Sequence, residues 1–325
     1  MNNRFTFLSL LISSVGLING CSDGSPFEDP NALGTNTIEP VPNIVTQIAD
    51  QNSFSLSVEK TAVEGLGIEG ITSNVTVRVA DRNNNPVPDN TAVRFLTNGG
   101  RIDPQCLTLS GECTVLWTEQ LPTPASFEAI IIAYTTGEES FTDLNDNDMY
   151  DAGEAFTDIS EPFFDLNENG QRDANTEEFV DANNNNIFDP ADGLFTGTPC
   201  VGDTTICNRV STLIWNTAGI LISGSYAQIS ISSGALPTTV DTSAEITISV
   251  VDVNGNPMAD GTTVTLESSD GSVDPTDWTF APRSTTIDAL YTTGSTTGIA
   301  ESFKVIVTSP SGAITQTLIF TDPLL

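Results

Sequence analysis

The sequence contains no histidine, and its lysines and arginines together number only 10 in 325 residues. Without histidine, the Ser-His and Cys-His pairs that serve nucleophilic catalysis cannot form. So few bases argue against binding of nucleic acid or of an anionic membrane surface. No stretch after the first twenty residues is apolar for long enough to span a bilayer.

Acidic side chains are abundant and concentrated in one region. There are 43 of them, the formal net charge is −33, and seventeen lie between Glu138 and Asp192, where Arg172 is the only base. Elsewhere the chain is rich in Thr, Ser, Val and Ile, which favours strands. We therefore expect an all-β protein with one strongly acidic region, in a salty or calcium-bearing medium that screens its charge.

The first twenty residues have the features of an export signal, an apolar core that ends in Ile18-Asn19-Gly20 before Cys21. This ending resembles the lipobox of bacterial lipoproteins, in which the cysteine is lipidated and becomes the first residue. With Ser22 following, the resemblance implies a lipid anchor in the outer membrane, on either face; an ordinary signal with a chance cysteine is the alternative. Residues 1–20 are then a signal peptide, and 21–50, with four prolines, a tether.

One domain is repeated in the sequence. From Phe54 onward apolar and polar residues alternate, as in half-buried antiparallel strands. The stretch Ser73–Pro104 aligns without a gap to Ala244–Pro275, and each copy holds an Asx-rich turn closed by proline. Such a repeat predicts two tandem sandwiches, 51–223 and 224–325, with residues 139–207 inserted in the first. After the insertion we expect strands to resume at Val210–Trp215 and Gly219–Ser223.

Two stretches carry a family motif, Val79–Val87 and Val250–Met258, which read VADRNNNPV and VVDVNGNPM. With them the chain resembles the bacterial Ig-like domains of the invasin/intimin type. That resemblance implies Ig-like β-sandwiches that act as a spacer or adhesion module rather than as an enzyme.

Three stretches of the insertion present oxygen ligands in the spacing D-x-N-x-N-x-x-x-D of a calcium-binding loop. Counting the main-chain carbonyl of position seven, the predicted ligands are Asp143, Asn145, Asn147, Met149, Asp151 and Glu154 in the first loop, Asp165, Asn167, Asn169, Gln171 and Asp173 in the second, and Asp181, Asn183, Asn185, Ile187, Asp189 and Asp192 in the third. Because all are oxygen donors, we expect about three Ca²⁺ sites of extracellular type. The second loop has no acid at position twelve, only Glu177 and Glu178 just beyond it.

The short spacing of these loops leaves no room for paired EF-hand helices, so they resemble the loops of thrombospondin type 3 and dockerin modules. A solvated, disordered acidic loop is the alternative. Recurring phenylalanines favour a small core instead: Phe141, Phe156, Phe164, Phe179, Phe188 and Phe195.

Besides Cys21 the chain has four cysteines, in two C-x6-C pairs: Cys106 with Cys113, and Cys200 with Cys207. In an exported protein this even count predicts two disulfides. Local pairing is preferred over the two cross-pairings, one of which would clamp both roots of the insertion. The spacing is wrong for a zinc knuckle.

Taken together, the patterns predict a non-enzymatic, lipid-anchored envelope protein, a calcium-stabilised structural or adhesive module with an unknown protein or glycan ligand. A carbohydrate-binding or enzyme-associated accessory module is the alternative. Three tryptophans could line a sugar platform, Trp117, Trp215 and Trp278, but core packing is the commoner role of a tryptophan in or beside a strand.

Overall fold

The computed structural model describes residues 46–200, 204–234, 236–320 and 324–325. The predicted signal peptide, the lipidation site Cys21 and the tether up to residue 45 lie outside these ranges and stay predictions. The described chain is all-β, as predicted; its helical content is a single 3-10 turn, Gln51–Ser53. Within the described ranges there is no helix with the length and apolar character needed to cross a membrane.

In the described ranges, eleven strands precede residue 223. They are β1 Phe54–Val58, β2 Ala62–Val63, β3 Thr72–Val79, β4 Ala92–Thr97, β5 Arg101–Ile102, β6 Gln105–Leu107, β7 Glu112–Thr118, β8 Glu128–Gly137, β9 Phe195–Thr196, β10 Cys207–Asn208 and β11 Thr212–Ile222. One sheet has the order β1-β3-β7-β5 and the facing sheet the order β2-β11-β8-β4-β6, while β9 and β10 pair inside the insertion. Residues of both sheets share one hydrophobic core.

Alternating burial explains these strands. In β3, Val75, Val77 and Val79 are buried while the residues between them are more exposed, as period-two patterning requires. Trp117 on β7 is fully buried, and its indole Nε1 donates to the Gly99 carbonyl at 2.9 Å. Its core role is as expected from sequence.

Eight further strands among the described residues form the second sandwich. They are β12 Ala227–Ser233, β13 Ser243–Asp252, β14 Thr263–Ser268, β15 Ser272–Asp274, β16 Asp277–Thr279, β17 Thr286–Thr292, β18 Ser302–Thr308 and β19 Ile314–Phe320. The sheets β12-β13-β17-β15 and β16-β14-β18-β19 enclose a core of their own. Trp278, expected in a core, instead lies on the edge strand β16 with 37% of its surface exposed.

The repeated turn has the same geometry in both sandwiches. Asp81 Oδ1 accepts from the backbone N–H of Asn85 at 2.9 Å, and Asp252 Oδ1 accepts from that of Asn256 at 2.9 Å. The proline that follows closes an isolated bridge in each copy. The repeated motif therefore encodes an Asx turn, in which the aspartate side chain accepts from a nearby backbone N–H.

Strand prediction differs from the structure in two ways. The segments expected at 210–215 and 219–223 are one strand, β11, because Asn216, Thr217 and Ala218 keep an unbroken register with β8. The prediction also omitted β7 and β17, whose alternating residues are buried in the two cores.

The folded part begins before residue 51, where we placed the end of the tether. Ala49 and Asp50 are buried. The Asp50 N–H donates to the Ala80 carbonyl at 3.0 Å, and the Glu138 N–H donates to the Ala49 carbonyl at 2.8 Å. The incoming chain is thus bound to the ends of both β3 and β8.

Polar contacts join the two sandwiches. The Glu64 carboxylate accepts from the Ser309 hydroxyl at 2.8 Å and from the Ser311 N–H at 2.7 Å. In the other direction, Asp260 accepts from the Thr61 N–H at 2.7 Å. Each sandwich therefore contributes a carboxylate that accepts hydrogen bonds from N–H or O–H groups of the other sandwich.

A further ion pair crosses the same junction, from Arg283 to Glu128 at 2.6 Å. By its contacts, Asn43–Leu325 forms one compact unit. The domain boundary between residues 223 and 224 stays a prediction.

Candidate metal centre

An aromatic cluster at the root of the insertion fixes its first loop. Tyr150 stacks on Phe195 with ring centroids 4.5 Å apart, and Phe141 meets Phe195 edge-on at 5.2 Å. A disulfide joins Cys200 to Cys207, both buried in the same cluster. The strands β9 and β10 pair in parallel beside it.

A second aromatic group holds the outer loops. Phe188 meets both Phe163 and Phe179 edge-on at 5.7 and 5.6 Å, and Phe163 also contacts Trp215 of β11. The Arg172 guanidinium lies 4.5 Å from the Phe179 ring centre, a favourable cation–π arrangement. The insertion is therefore a packed unit, and the disordered-loop alternative does not describe it.

Both disulfides are local, which is the pairing preferred from sequence. Cys106 lies on β6 and Cys113 on β7, so the first bridge ties together the two sheets of the first sandwich.

The first loop folds around its leading aspartate. Asp143 accepts from the N–H of Asn147 at 3.2 Å and of Asp148 at 2.7 Å. Asn147 Oδ1 accepts from the Met149 N–H at 2.8 Å. The backbone has positive φ at Asp146 and Asp148, where Asp tolerates left-handed geometry better than most side chains. The side chains of positions one and five thus face the interior of one tight turn.

The other two loops repeat this pattern. Asp165 accepts from the Gly170 N–H at 2.7 Å, and Asp181 accepts from the Asn186 N–H at 2.7 Å. Positive φ again occurs at positions four and six, at Glu168 and Gly170, and at Asn184 and Asn186. In all three loops the amide of position three donates to the aspartate of position nine: Asn145 to Asp151 at 2.9 Å, Asn167 to Asp173 at 2.7 Å, and Asn183 to Asp189 at 2.6 Å.

A buried glutamate completes each loop by accepting from the N–H groups of positions two and nine. The pairs are Glu154 with Leu144 at 2.8 Å and Asp151 at 2.9 Å, Glu177 with Leu166 and Asp173 at 2.8 Å each, and Glu161 with Ala182 at 2.7 Å and Asp189 at 3.0 Å. The second loop therefore has its acid one residue beyond position twelve. The third takes its acid from a segment twenty residues earlier than its own first ligand.

Asp192, which the spacing assigned to the third loop, belongs to a fourth arrangement. Asp158 accepts from the N–H of Asp192 at 3.2 Å and of Gly193 at 2.7 Å, and Asp192 accepts from that of Leu194 at 2.8 Å. Gly193 has a positive φ of 78°. These are the bonds made by positions one, five, six and seven of the other loops.

Glu139 completes this fourth arrangement. It accepts from the N–H of Ile159, directly after Asp158, at 2.9 Å and from that of Thr196 at 2.7 Å. The ligand-like set thus comes from three separate stretches of chain, which no local spacing rule can detect. The sequence hinted at this fourth set only in that the insertion has more acidic residues than the three loops use.

Burial and hydrogen bonds act in opposite directions on these carboxyls. Burial raises the pKa of Glu139 to about 7, although its backbone donors lower it, and the charges of Asp158 and Asp192 raise it further. At Asp143 the slight burial raises the pKa, but the N–H groups of the loop outweigh it and lower the pKa overall. The first loop therefore favours the ionised form of Asp143.

In the described part of the chain, no three Asp, Glu, Cys or His side chains come together closely enough to hold a metal alone. Carboxamide and main-chain oxygens would have to complete each set, as they do in calcium loops. A cleft of about 640 Å³ opens beside the third and fourth sets, between the insertion and the sheet; its lining includes Glu139, Glu161, Asp189, Asp192, Thr136 and Thr212.

No protein-family model matches the chain, and no curated protein matches it either. Among solved structures, it is similar to the Yersinia pseudotuberculosis adhesin InvE, with 13% identity and a TM-score of 0.27, over 85% of this chain and 60% of that one. The D0-D1 domain of intimin matches at 12% identity and a TM-score of 0.24, over 82% of this chain and 98% of that one.

A C-terminal 282-residue fragment of intimin, solved in complex with the intimin-binding domain of the translocated intimin receptor, matches at 13% identity and a TM-score of 0.28. That match covers 82% of this chain and 62% of the fragment. The chain thus spans less than two thirds of two of these structures. Likenesses this distant do not say what the chain does.

Proposed function

We propose that the protein is a non-enzymatic structural or adhesive module of the cell envelope, stabilised by calcium bound in its insertion. The observation that supports the proposal is the hydrogen-bond pattern that recurs in four arrangements: an aspartate that accepts from the backbone N–H groups of a tight turn, and a buried glutamate that closes the arrangement. Three loops of similar sequence could share a turn by descent alone. The fourth arrangement comes from separate stretches of chain, so descent from a repeated loop does not explain it, and a shared ligand does.

Calcium fits the available donors. It takes six to eight oxygens, and each loop offers carboxylates, carboxamides and the carbonyl at position seven. The proposed carbonyl donors are those of Met149, Gln171, Ile187 and Leu194, and the proposed glutamates are Glu154, Glu177, Glu161 and Glu139. The ions would neutralise the densest part of a chain whose formal charge is −33. Without them, mutual repulsion of the carboxylates would oppose packing of the aromatic clusters.

Placement in the envelope rests on the sequence. A lipid anchor at Cys21 and a tether would hold the folded part away from the outer membrane. The two joined sandwiches, tied by Glu64, Asp260 and Arg283, would then act as a stiff spacer or present a ligand-binding surface.

Carbohydrate binding is the second candidate, favoured by the exposed indole of Trp278 on an edge strand. A tryptophan combines a large apolar face with a polar N–H, which suits a ligand that has both apolar and polar groups. A glycan array with the wild-type protein and Trp278→Ala tests this: binding that the substitution abolishes would support it, and no binding to any glycan would remove it.

Calcium titration by calorimetry, combined with limited proteolysis, tests the main proposal. We expect about four sites with dissociation constants on the order of 10⁻⁴ to 10⁻³ M, and chelator should expose cleavage between residues 139 and 207 while the second sandwich stays intact. The triple variant Asp143→Asn, Asp165→Asn, Asp181→Asn should be cleaved even with calcium.

A matched control removes three acids from the same insertion without touching the recurring bonds: Asp146→Asn, Glu168→Gln and Glu178→Gln, all at exposed positions. It should bind and resist protease like the wild type. Asp158→Asn alone should remove one site. If calcium does not bind at millimolar concentration and cleavage is the same with chelator, the proposal is wrong.

A further inference from the structure

Segment 64–70 of the first sandwich reaches across to the second. Its Glu64 carboxylate accepts from Ser309 and Ser311 of the second sandwich, and its Leu66 N–H donates at 3.1 Å to the carbonyl of Ser223, the last residue of the first sandwich. The segment is glycine-rich, with positive φ at Gly67 and Gly70. Because glycine leaves the backbone conformationally free, the position of the segment depends on the side chains against which it packs.

The segment rests on the side chain of Glu119. A Cβ added at Gly65 would lie 3.0 Å from Glu119 Cγ and 3.0 Å from Ile222 Cγ2, so the backbone packs directly on both. The Gly70 N–H also donates to the Glu119 carbonyl at 2.9 Å. Segment 64–70 therefore covers the side chain of Glu119.

Neither carboxyl oxygen of Glu119 has a hydrogen-bond partner within the described residues, although the residue is only 1% exposed. An ionised carboxylate in such a place lacks both water and donors, and this costs more than burial of the neutral acid. Burial, and secondarily the charge of Glu69, raise the pKa of Glu119 to about 7.

The charged neighbours do not offset this. Glu69 lies on the same segment and crosses to accept from the Leu121 N–H, beside Glu119. Glu64 faces the other way, toward the serines: burial raises its pKa, but the donors from Ser311, Ser225 and Ser309 lower it overall. At neutral pH, Glu64 is thus ionised and bonded, and Glu119 is the group whose charge can change.

We propose that Glu119 is a proton-controlled support of the sandwich junction. With its carboxyl neutral, segment 64–70 packs on it and holds the second sandwich; with its carboxyl ionised, the segment lifts to let water in, and the junction loosens.

The sign follows from the two protonation equilibria. The packed junction binds a proton with a pKa of about 7, and the opened one has the ordinary glutamate value near 4.5. The packed form is therefore most favoured below 4.5, loses stability as the pH rises toward 7, and changes little above that.

Hydrogen exchange of the full chain in saturating calcium tests this, at about pH 5.5 and about pH 8.5, with labelling times corrected for intrinsic exchange. The opening equilibrium of the Leu66 and Ser311 amides should rise by up to about 30-fold between these pH values. Strands β3 and β13 serve as internal references and should not follow. In Glu119→Gln the rise should vanish, because the amide stays neutral throughout.

If the wild type and Glu119→Gln show the same pH dependence, or if the change spreads evenly over both sandwiches, the inference is wrong. Glu69→Gln is a second variant at an exposed position that keeps the core intact. By removing the like charge, it should move the midpoint of the transition to lower pH. An unmoved midpoint contradicts the role given to these two carboxyls.

Discussion

Three glutamates, Glu154, Glu177 and Glu161, make the same pair of hydrogen bonds from three different places in the sequence. The first stands at the expected position twelve, and the second is displaced by one residue. The third precedes the loop that it closes. A glutamate can therefore close a loop from different positions in the chain, provided that its side chain is buried and faces the two N–H donors.

Replacement of Glu161 by Gln tests this at the residue scale. Glutamine keeps one acceptor but puts an N–H₂ group against the second backbone donor and removes a charge from the set. We expect the third site to be lost from the calcium titration while the other sites remain, since ligand charge sets affinity in such loops. Glu178→Gln, next to Glu177 but exposed, is the control. Unchanged stoichiometry in Glu161→Gln would show that Glu161 is no ligand.

At the scale of elements, sequence predicted what is local. The Asx turn at Asp81 and Asp252 and the leading aspartates of the loops were predictable, because an acid and its N–H donors lie within five residues. The continuity of β11 was not, since Asn216 and Thr217 are polar and only the register with β8 keeps them in the strand. For the same reason Glu139 and Asp158 escaped prediction.

The disulfide between Cys200 and Cys207 should matter for the insertion rather than for the sandwich. Closing so short a loop contributes about 2.5 kcal/mol by chain entropy, and both sulfurs lie within the aromatic cluster of Tyr150 and Phe195. The double variant Cys200→Ala, Cys207→Ala should therefore raise hydrogen exchange and protease cleavage within 139–207.

The matched control for this prediction is Cys106→Ala with Cys113→Ala. That bridge ties β6 to β7, so its loss should affect the first sandwich and spare the insertion. If either double variant raised hydrogen exchange equally in the insertion and in the first sandwich, the two disulfides would not stabilise separate regions, and the prediction would be wrong.

For the whole molecule, sequence predicted two all-β repeats with an acidic insertion, and the structure has them. It did not predict the polar junction, because Glu64 and Ser309 are 245 positions apart and neither belongs to a motif. Charge, too, acts at this scale: with a net −33, association of two copies is opposed unless cations intervene.

The lipid anchor is a prediction about the whole molecule, and it depends on the sulfur atom of Cys21. Cys21→Ala should release the protein from the membrane fraction, because the substitution removes the thiol that the predicted lipid would modify. Fractionation with labelled palmitate measures this directly. Ser22→Ala, which leaves the thiol in place, should stay bound. Equal partition of Cys21→Ala and the wild type would count against lipidation.

The chain enters its folded part between the ends of β3 and β8, where Asp50 bonds to Ala80 and Ala49 to Glu138. Tension applied from the side of the anchor would load the bond from the Thr46 N–H to Asp81 first and these bonds next. Glu138 is also the first residue beyond β8 and the neighbour of Glu139. Mechanical force would therefore arrive at the root of the insertion and, through Ala49, at the first core together. If the proposed ions hold that root, removal of calcium should lower the force at which it yields.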